Sequence, residues 1–203
     1  MSIQSKIAIL ILAAGGSSRM GSPKQLLKWK GSNLINHTIS KAIKLKAKDI
    51  FVILGANSDL IKSELDQNRV NVLFNRDWKK GLGSSISHGI KFILKSDPEL
   101  EGILIMLVDQ PLIEYDHYLK LINSFDSDSK AIIATKYSDD NLGVPALIDE
   151  FYFKELCDLN SDSGAKQLFV KYAQNVVSVA NHKANFDLDT LDEYEQLYRA
   201  NQP

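Results

Sequence analysis

The chain has 203 residues, 44% of them hydrophobic and 24% charged. Those proportions match a soluble globular chain and exclude a largely disordered segment, a collagen-like fibre and a membrane bundle. Lys and Arg number 24 against 25 Asp and Glu, a formal charge of −1; the basic excess that general affinity for a phosphate backbone needs is missing, so no nucleic acid is expected as a partner.

Residues 7–14 are a continuous apolar run ended by Gly15 and Gly16, the pattern of a strand buried on both faces. The run is too short to span a bilayer, and no small-residue cleavage site follows it. No membrane partner is therefore expected, and the expected location is cytoplasmic. Residues 33–46 carry apolar side chains at helical spacing, with Asn33 as N-cap. Strands are then predicted over residues 50–54, 70–74, 102–108 and 131–134, and helices over residues 59–65, 84–94 and 115–125. In the C-terminal third, strands are predicted over 144–148 and 176–179, and helices over 151–156, 164–172 and 191–199. Residues 126–129 and 137–142 read as surface loops. Strands alternating with helices imply an α/β fold of three layers, α/β/α, around a mainly parallel sheet. The length needs no covalent staple, residues 1–203 read as one domain, and the single Cys157 excludes an internal disulfide and a thiolate metal cage.

Ligands of such sheets sit beyond the carboxyl ends of the strands, which directs attention to the polar residues after each apolar run. The first is LAAGGSSRMGSPK, residues 12–24. Its glycines and small residues free backbone N–H groups to approach phosphate oxygens, and Arg19 and Lys24 add positive charge. It is neither a Walker A loop nor a G-x-G-x-x-G fingerprint. An ordinary strand-to-helix turn with two surface cations would look the same. The second is Asp109, a lone carboxylate directly after the most apolar segment. Such a group is costly to bury unless it is paired or binds a metal; capping a following helix is the other reading. The third is Asp187-Leu188-Asp189. Asp189 reads as part of a helix cap with Thr190, whereas Asp187 has no capping duty and is free to be a second metal carboxylate. Residues 81–89, GLGSSISHG, open a helix and offer N–H and hydroxyl groups to an anion, with His88 as a surface or packing residue. Asp162 or Ser163 reads as a cap for a helix beginning near Gly164. No ordered Ser/His/Asp set, HExxH or CxxC is present.

These residues resemble a known family. The segment from Leu12 to Lys24 is similar to the L-A-[AG]-G-x-[ST]-x-R-M-G-x-x-K signature of nucleotidyltransferases with the GT-A-like, Rossmann-like nucleotide-diphospho-sugar transferase fold. The resemblance continues through Asn75-Arg76-Asp77-Trp78, Gly83-Ser84-Ser85, Asp109-Gln110-Pro111-Leu112, Gly143-Val144-Pro145-Ala146-Leu147, Asp162-Ser163-Gly164-Ala165-Lys166 and Asp187 to Thr190. The chain is thereby identified as resembling the MobA-like NTP transferase family, in its MocA-like molybdenum cofactor cytidylyltransferase branch. Ser161 departs from the glycine usual at its position.

The resemblance implies nucleotide binding by Leu12, Ala13, Ala14, Gly15, Gly16, Ser17, Asn75, Gly83, Ser84, Ser85 and Gln110. It implies catalytic roles for Arg19, Lys24 and Asp109, and a metal, Mg²⁺ or Mn²⁺, on Asp109 and Asp187. Ala14 points to CTP, because cytidylyl members read L-A-A-G where guanylyl members read L-A-G-G. The implied reaction is CMP transfer from CTP to molybdopterin carrying molybdenum, with a molybdenum hydroxylase as a possible recipient of the product. Guanylyl transfer, nucleotidyl transfer to a sugar phosphate, and a non-catalytic cofactor carrier remain the alternatives.

Overall fold

The computed structural model describes residues 6–138, 141–160, 162, 164–181 and 187–201. Strand β1 (Ile7–Ala13) is buried at every position and lies at the centre of a seven-stranded sheet. The other strands of that sheet are β4 (Asp49–Leu54), β5 (Asn71–Phe74), β6 (Gly102–Leu107), β7 (Ile132–Ser138), β8 (Asn141–Asp149) and β9 (Val176–Ala180). Their order is β5-β4-β1-β6-β8-β7-β9. Every neighbouring pair is parallel except those made by β8, which runs against both β6 and β7. A two-stranded ribbon, β2 (Lys28–Trp29) with β3 (Ser32–Asn33), stands apart. Among the described residues no helix is long and apolar enough to cross a membrane.

The layers follow from the period of two along β1. Ile7, Ile9, Ile11 and Ala13 enter one core cluster with α1 (Leu34–Lys44), α4 (Tyr115–Asn123) and α7 (Leu191–Ala200). Ala8, Leu10 and Leu12 enter the other, with α3 (Leu82–Ser96), α5 (Phe153–Cys157) and α6 (Lys166–Lys171). The short α2 (Ser58–Ser63) joins β4 to β5. Helix α1 begins as the sequence predicts, with the Asn33 side chain accepting from the Asn36 N–H at 2.9 Å.

Three sequence expectations need correction. Residues 137, 138, 141 and 142 are strand, the arms of the β7–β8 hairpin, and residues 139–140 lie outside the described ones. Helix α6 starts at Lys166, because Gly164 has a φ of +53° and cannot continue a right-handed helix. Ser161 and Ser163 lie outside the described residues, and the reading of Ser163 as a cap lies outside them too. Third, Thr190 caps α7, not Asp189: its side chain accepts from the Glu193 N–H at 3.3 Å, and the Glu193 carboxylate accepts from the Thr190 N–H at 2.8 Å.

Register sets the place of the site. Leu12 pairs with Leu107 and Ala13 with Leu54, so β1, β4 and β6 end together. Because β8 is reversed, its first residues, 141–144, reach the same edge as the last residues of β6 and β7.

Candidate active site

The loop after β1 is shaped by a buried glutamine. Gln25 is 1% exposed, and its Nε2 donates to the carbonyls of Ala13 and Gly15, both at 2.9 Å. Ser17 adopts a φ of +51° and its hydroxyl accepts from the Lys24 N–H at 3.0 Å. The turn thereby folds back so that Lys24 points across the ends of the strands. Its Nζ donates to Asp109 Oδ2 at 2.6 Å and to the Leu188 carbonyl at 3.1 Å.

Asp109 does not cap a helix. The next helix, α4, starts at Tyr115, and the Asp109 carbonyl instead accepts from the Leu188 N–H at 3.0 Å. That backbone contact draws the segment 187–189 beside the end of β6. Arg19 pairs with Asp189, Nη2 to Oδ2 at 3.1 Å, and Asp189 Oδ1 lies 3.8 Å from Lys24 Nζ. Gln110 Nε2 donates to Asp187 Oδ1 and to the Tyr137 hydroxyl, each at 2.9 Å; that hydroxyl donates to the Val144 carbonyl.

Burial raises the Asp187 carboxyl above its ordinary pKa, and the negative charge of Asp109 adds to the rise. Asp109 Oδ1 is itself buried without a hydrogen-bond partner. Two mutually repelling carboxylates with an unsatisfied oxygen form a hard-oxygen donor set suited to a divalent cation. Mg²⁺ commonly uses one or two carboxylates and completes its shell with phosphate and water oxygens. Among the described residues no three His, Cys, Asp or Glu side chains converge as a ready-made cage.

Two clefts of about 350 Å³ each flank this cluster and share Leu82, Leu107 and Asp162. Leu12, Ala13, Ala14, Gly15, Lys24, Ser85 and Asp109 line the first. Gln110, Tyr137, Gly143, Val144, Lys166 and Asp187 line the second. Helix α3 starts at their shared wall and has no side-chain cap. Gly81 before it has a φ of +101° and touches Asp162, an approach only glycine permits. Asn75 and Ser84 stand behind that wall. The Asn75 amide donates to the hydroxyls of Ser84 at 2.8 Å and Ser85 at 3.1 Å, and Gly83 is buried in the first turn of α3. His88 is exposed on α3.

Sequence reasoning missed four contributors. Gln25 and Trp78 line the first cleft, Tyr137 lines the second, and Asp189 faces Arg19. A fifth lies below. Lys41 of α1 is 5% exposed and donates to the carbonyls of Pro111 at 2.9 Å and Ile113 at 2.5 Å, gripping the turn that follows Asp109. Burial lowers its pKa to about 8.

Residues 9–177 match the MobA-like NTP transferase domain, and the chain belongs to that family. It is 28% identical over 206 residues to the purine catabolism protein PucB of Bacillus subtilis, covering 94% of this chain and 95% of PucB. It is 24% identical over 198 residues to nicotine blue oxidoreductase of Paenarthrobacter nicotinovorans, covering 94% of each. A bifunctional protein GlmU of Pseudomonas fluorescens is 28% identical over 135 residues; the match covers 66% of this chain but 28% of GlmU's length. The crystal structure of Rv0371c from Mycobacterium tuberculosis superposes with a TM-score of 0.80 at 25% identity, covering 96% of this chain and 98% of that one.

Proposed function

We propose that residues 1–203 act as one nucleotidyltransferase domain that moves CMP from CTP to molybdopterin carrying molybdenum and releases pyrophosphate. The observation that carries the reading is the seam between the two clefts, where Lys24 and Asp109 face one side and Gln110 and Asp187 the other. A donor nucleotide in the first cleft and an acceptor in the second meet at that seam.

The acceptor is a phosphate monoester with a second pKa near ~6, so it is largely dianionic at neutral pH and needs no general base. Its oxygen bonds to the α-phosphorus while the bond from that phosphorus to the bridging oxygen breaks, and pyrophosphate departs. Lys24, once it exchanges Asp109 for phosphate oxygens, neutralises the departing charge, and Arg19 does so from the rim. The uncapped start of α3 adds the positive end of its dipole. Asp109 and Asp187 would hold Mg²⁺ or Mn²⁺. When bound, such an ion would supply positive charge to the phosphate oxygens. The methyl group of Ala14, buried in the wall of the first cleft, favours a pyrimidine over a purine.

The test is pyrophosphate release with CTP, GTP and UTP, each with and without molybdenum cofactor. Turnover that needs CTP and the pterin together supports the reading; preference for GTP, or turnover with a sugar phosphate instead, replaces it. A second reading is a cofactor-delivery accessory of a molybdenum hydroxylase. It is favoured by the names of the two relatives matched over 95% and 94% of their length, one for purine catabolism and one for an oxidoreductase. Capture of a hydroxylase subunit without pyrophosphate release would select it.

A further inference from the structure

Trp78 belongs to no core cluster. It is half-buried, and its indole lines the first cleft beside Ala14 and Gly15. The ring spans the ends of two strands. A Cβ added at Gly55, after β4, would lie 2.5 Å from Trp78 Cβ and 2.7 Å from Cγ. A Cβ added at Gly16, after β1, would lie 3.1 Å from Cζ3 and Cη2 at the far end of the ring. Glycine at both positions is what lets the indole lie flush against the two loops.

The turn that carries it is held rigidly. The Asp77 N–H donates to Asn75 Oδ1 at 2.9 Å, the Ser84 hydroxyl donates to the Asp77 carbonyl at 2.9 Å, and the Gly81 N–H closes on the Trp78 carbonyl at 3.2 Å. The buried Asn75–Ser84–Ser85 network thus acts as a brace for Trp78. A large apolar ring fixed at this position lines a cleft that also holds Lys24 and Asp109, with the ammonium of the exposed Lys79 5.6 Å from its centroid; once that long side chain swings aside, the ring complements a molecule with a flat base at one end and phosphates at the other.

We infer that Trp78 is the wall against which the nucleobase packs, a binding residue for the donor nucleotide that rests on the nucleotidyltransferase reading above. Asn75 and Ser84 are positioning residues that act through it. Aromatic–base stacking is sequence-tolerant, so Trp78 supplies affinity for the base while the wall at Ala14 decides its size.

Tryptophan emission and calorimetry test this on the whole chain, titrated with CTP and Mg²⁺ and, separately, with inorganic triphosphate and Mg²⁺. The other tryptophan, Trp29, is 1% exposed in the opposite core and serves as an internal reference. CTP should quench the wild-type emission saturably. Trp78→Phe should keep CTP binding within a few-fold yet lose the quench. Trp78→Ala should weaken CTP about 10-fold or more while leaving triphosphate binding unchanged. Wild-type affinity for CTP in Trp78→Ala, or equal weakening towards CTP and triphosphate in both variants, overturns the base-wall assignment and leaves the wider reading standing. A wild-type chain that binds triphosphate no better than buffer anions and binds no nucleotide overturns the reading itself, and the assignment with it.

Discussion

Lys24 Nζ sits 2.6 Å from Asp109 Oδ2, so the cation and the carboxylate that the proposed chemistry needs neutralise each other before any substrate arrives. Their side chains are only 15% and 21% exposed, which makes each the other's main compensation for burial. Removing one partner should therefore cost stability as well as activity. Lys24→Met should lower the unfolding free energy by about 1–2 kcal/mol, less than for a fully buried pair. Asp109→Asn should cut turnover about 100-fold or more and leave the far-ultraviolet circular dichroism unchanged. The double variant should be more stable than the sum of the singles requires, which a urea double-mutant cycle measures. Strict additivity would mean that the pair is not energetically coupled.

Gln25 offers a separate handle on the same loop. Its amide satisfies the carbonyl of buried Ala13 and that of exposed Gly15, and leaving a buried acceptor unpaired costs about 1–3 kcal/mol. Gln25→Leu should lower Tm by several degrees, at roughly 2–4 °C per kcal/mol for a chain of this size. It should also raise KM for the nucleotide more than it lowers kcat, because the loop that would cradle phosphate loses its shape. A KM at the wild-type level in a folded variant would detach Gln25 from nucleotide binding.

The layers and most of the site frame were readable in the sequence because they rest on strong local signals. An unbroken apolar run closed by two glycines can be little else than a central strand and its loop, and GILIMLV leading into a lone Asp109 marks a buried strand with a costly carboxylate at its end. What was hidden depends on contacts distant in sequence. Asp189 looked like part of the cap with Thr190 because it stands in the acidic, Thr-containing composition of caps; only folding shows that Thr190 alone takes that role and that Asp189 faces Arg19, 170 residues away. The arms of the β7–β8 hairpin were obscured because Ser138, Asp139, Asp140 and Asn141 are turn residues by composition. Gly143 is needed there because the Tyr137 ring lies 2.4 Å from where its Cβ would be. Trp78 stood in the sequence only as one member of the 75–78 motif, and nothing local marks Gln25 or Lys41, whose amide and ammonium groups bond backbone carbonyls elsewhere in the chain.

Acid should destabilise the fold in a defined window. His117 is 6% exposed, and its Nε2 lies 2.8 Å from the Thr135 hydroxyl, which donates onward to the Pro145 carbonyl at 2.6 Å. That arrangement suits a neutral ring with the proton on Nε2. Burial lowers its pKa to about 4, with Lys120 adding to the effect, and burial lowers His37 to about 4 as well. Between the ordinary value of 6.5 and about 4 the unfolded chain binds protons that the folded chain does not, so stability falls as pH falls through that interval and levels off below it. The expected slope is at most about 1.4 kcal/mol per pH unit for each histidine. Urea midpoints measured from pH 7 to 4 check this, and His117→Gln should reduce the slope by up to half.

Ala14 carries the base preference in the proposed reaction. Its carbonyl accepts from the Ala56 N–H at 3.1 Å, which fixes the backbone beside the first cleft, and the residue is 6% exposed there. A fixed backbone means that exchanging the side chain alters the space available to the base while the path of the loop is retained. Loss of one methyl group changes discrimination in an apolar pocket by about 1–3 kcal/mol, or roughly 10- to 200-fold. Ala14→Gly should therefore raise the ratio of kcat/KM for GTP over that for CTP by about 10-fold, mostly by improving GTP. Pyrophosphate release at subsaturating nucleotide gives both values directly. An unchanged ratio in a variant that still turns over CTP would take base selection away from this methyl group and leave it to the rest of the cleft.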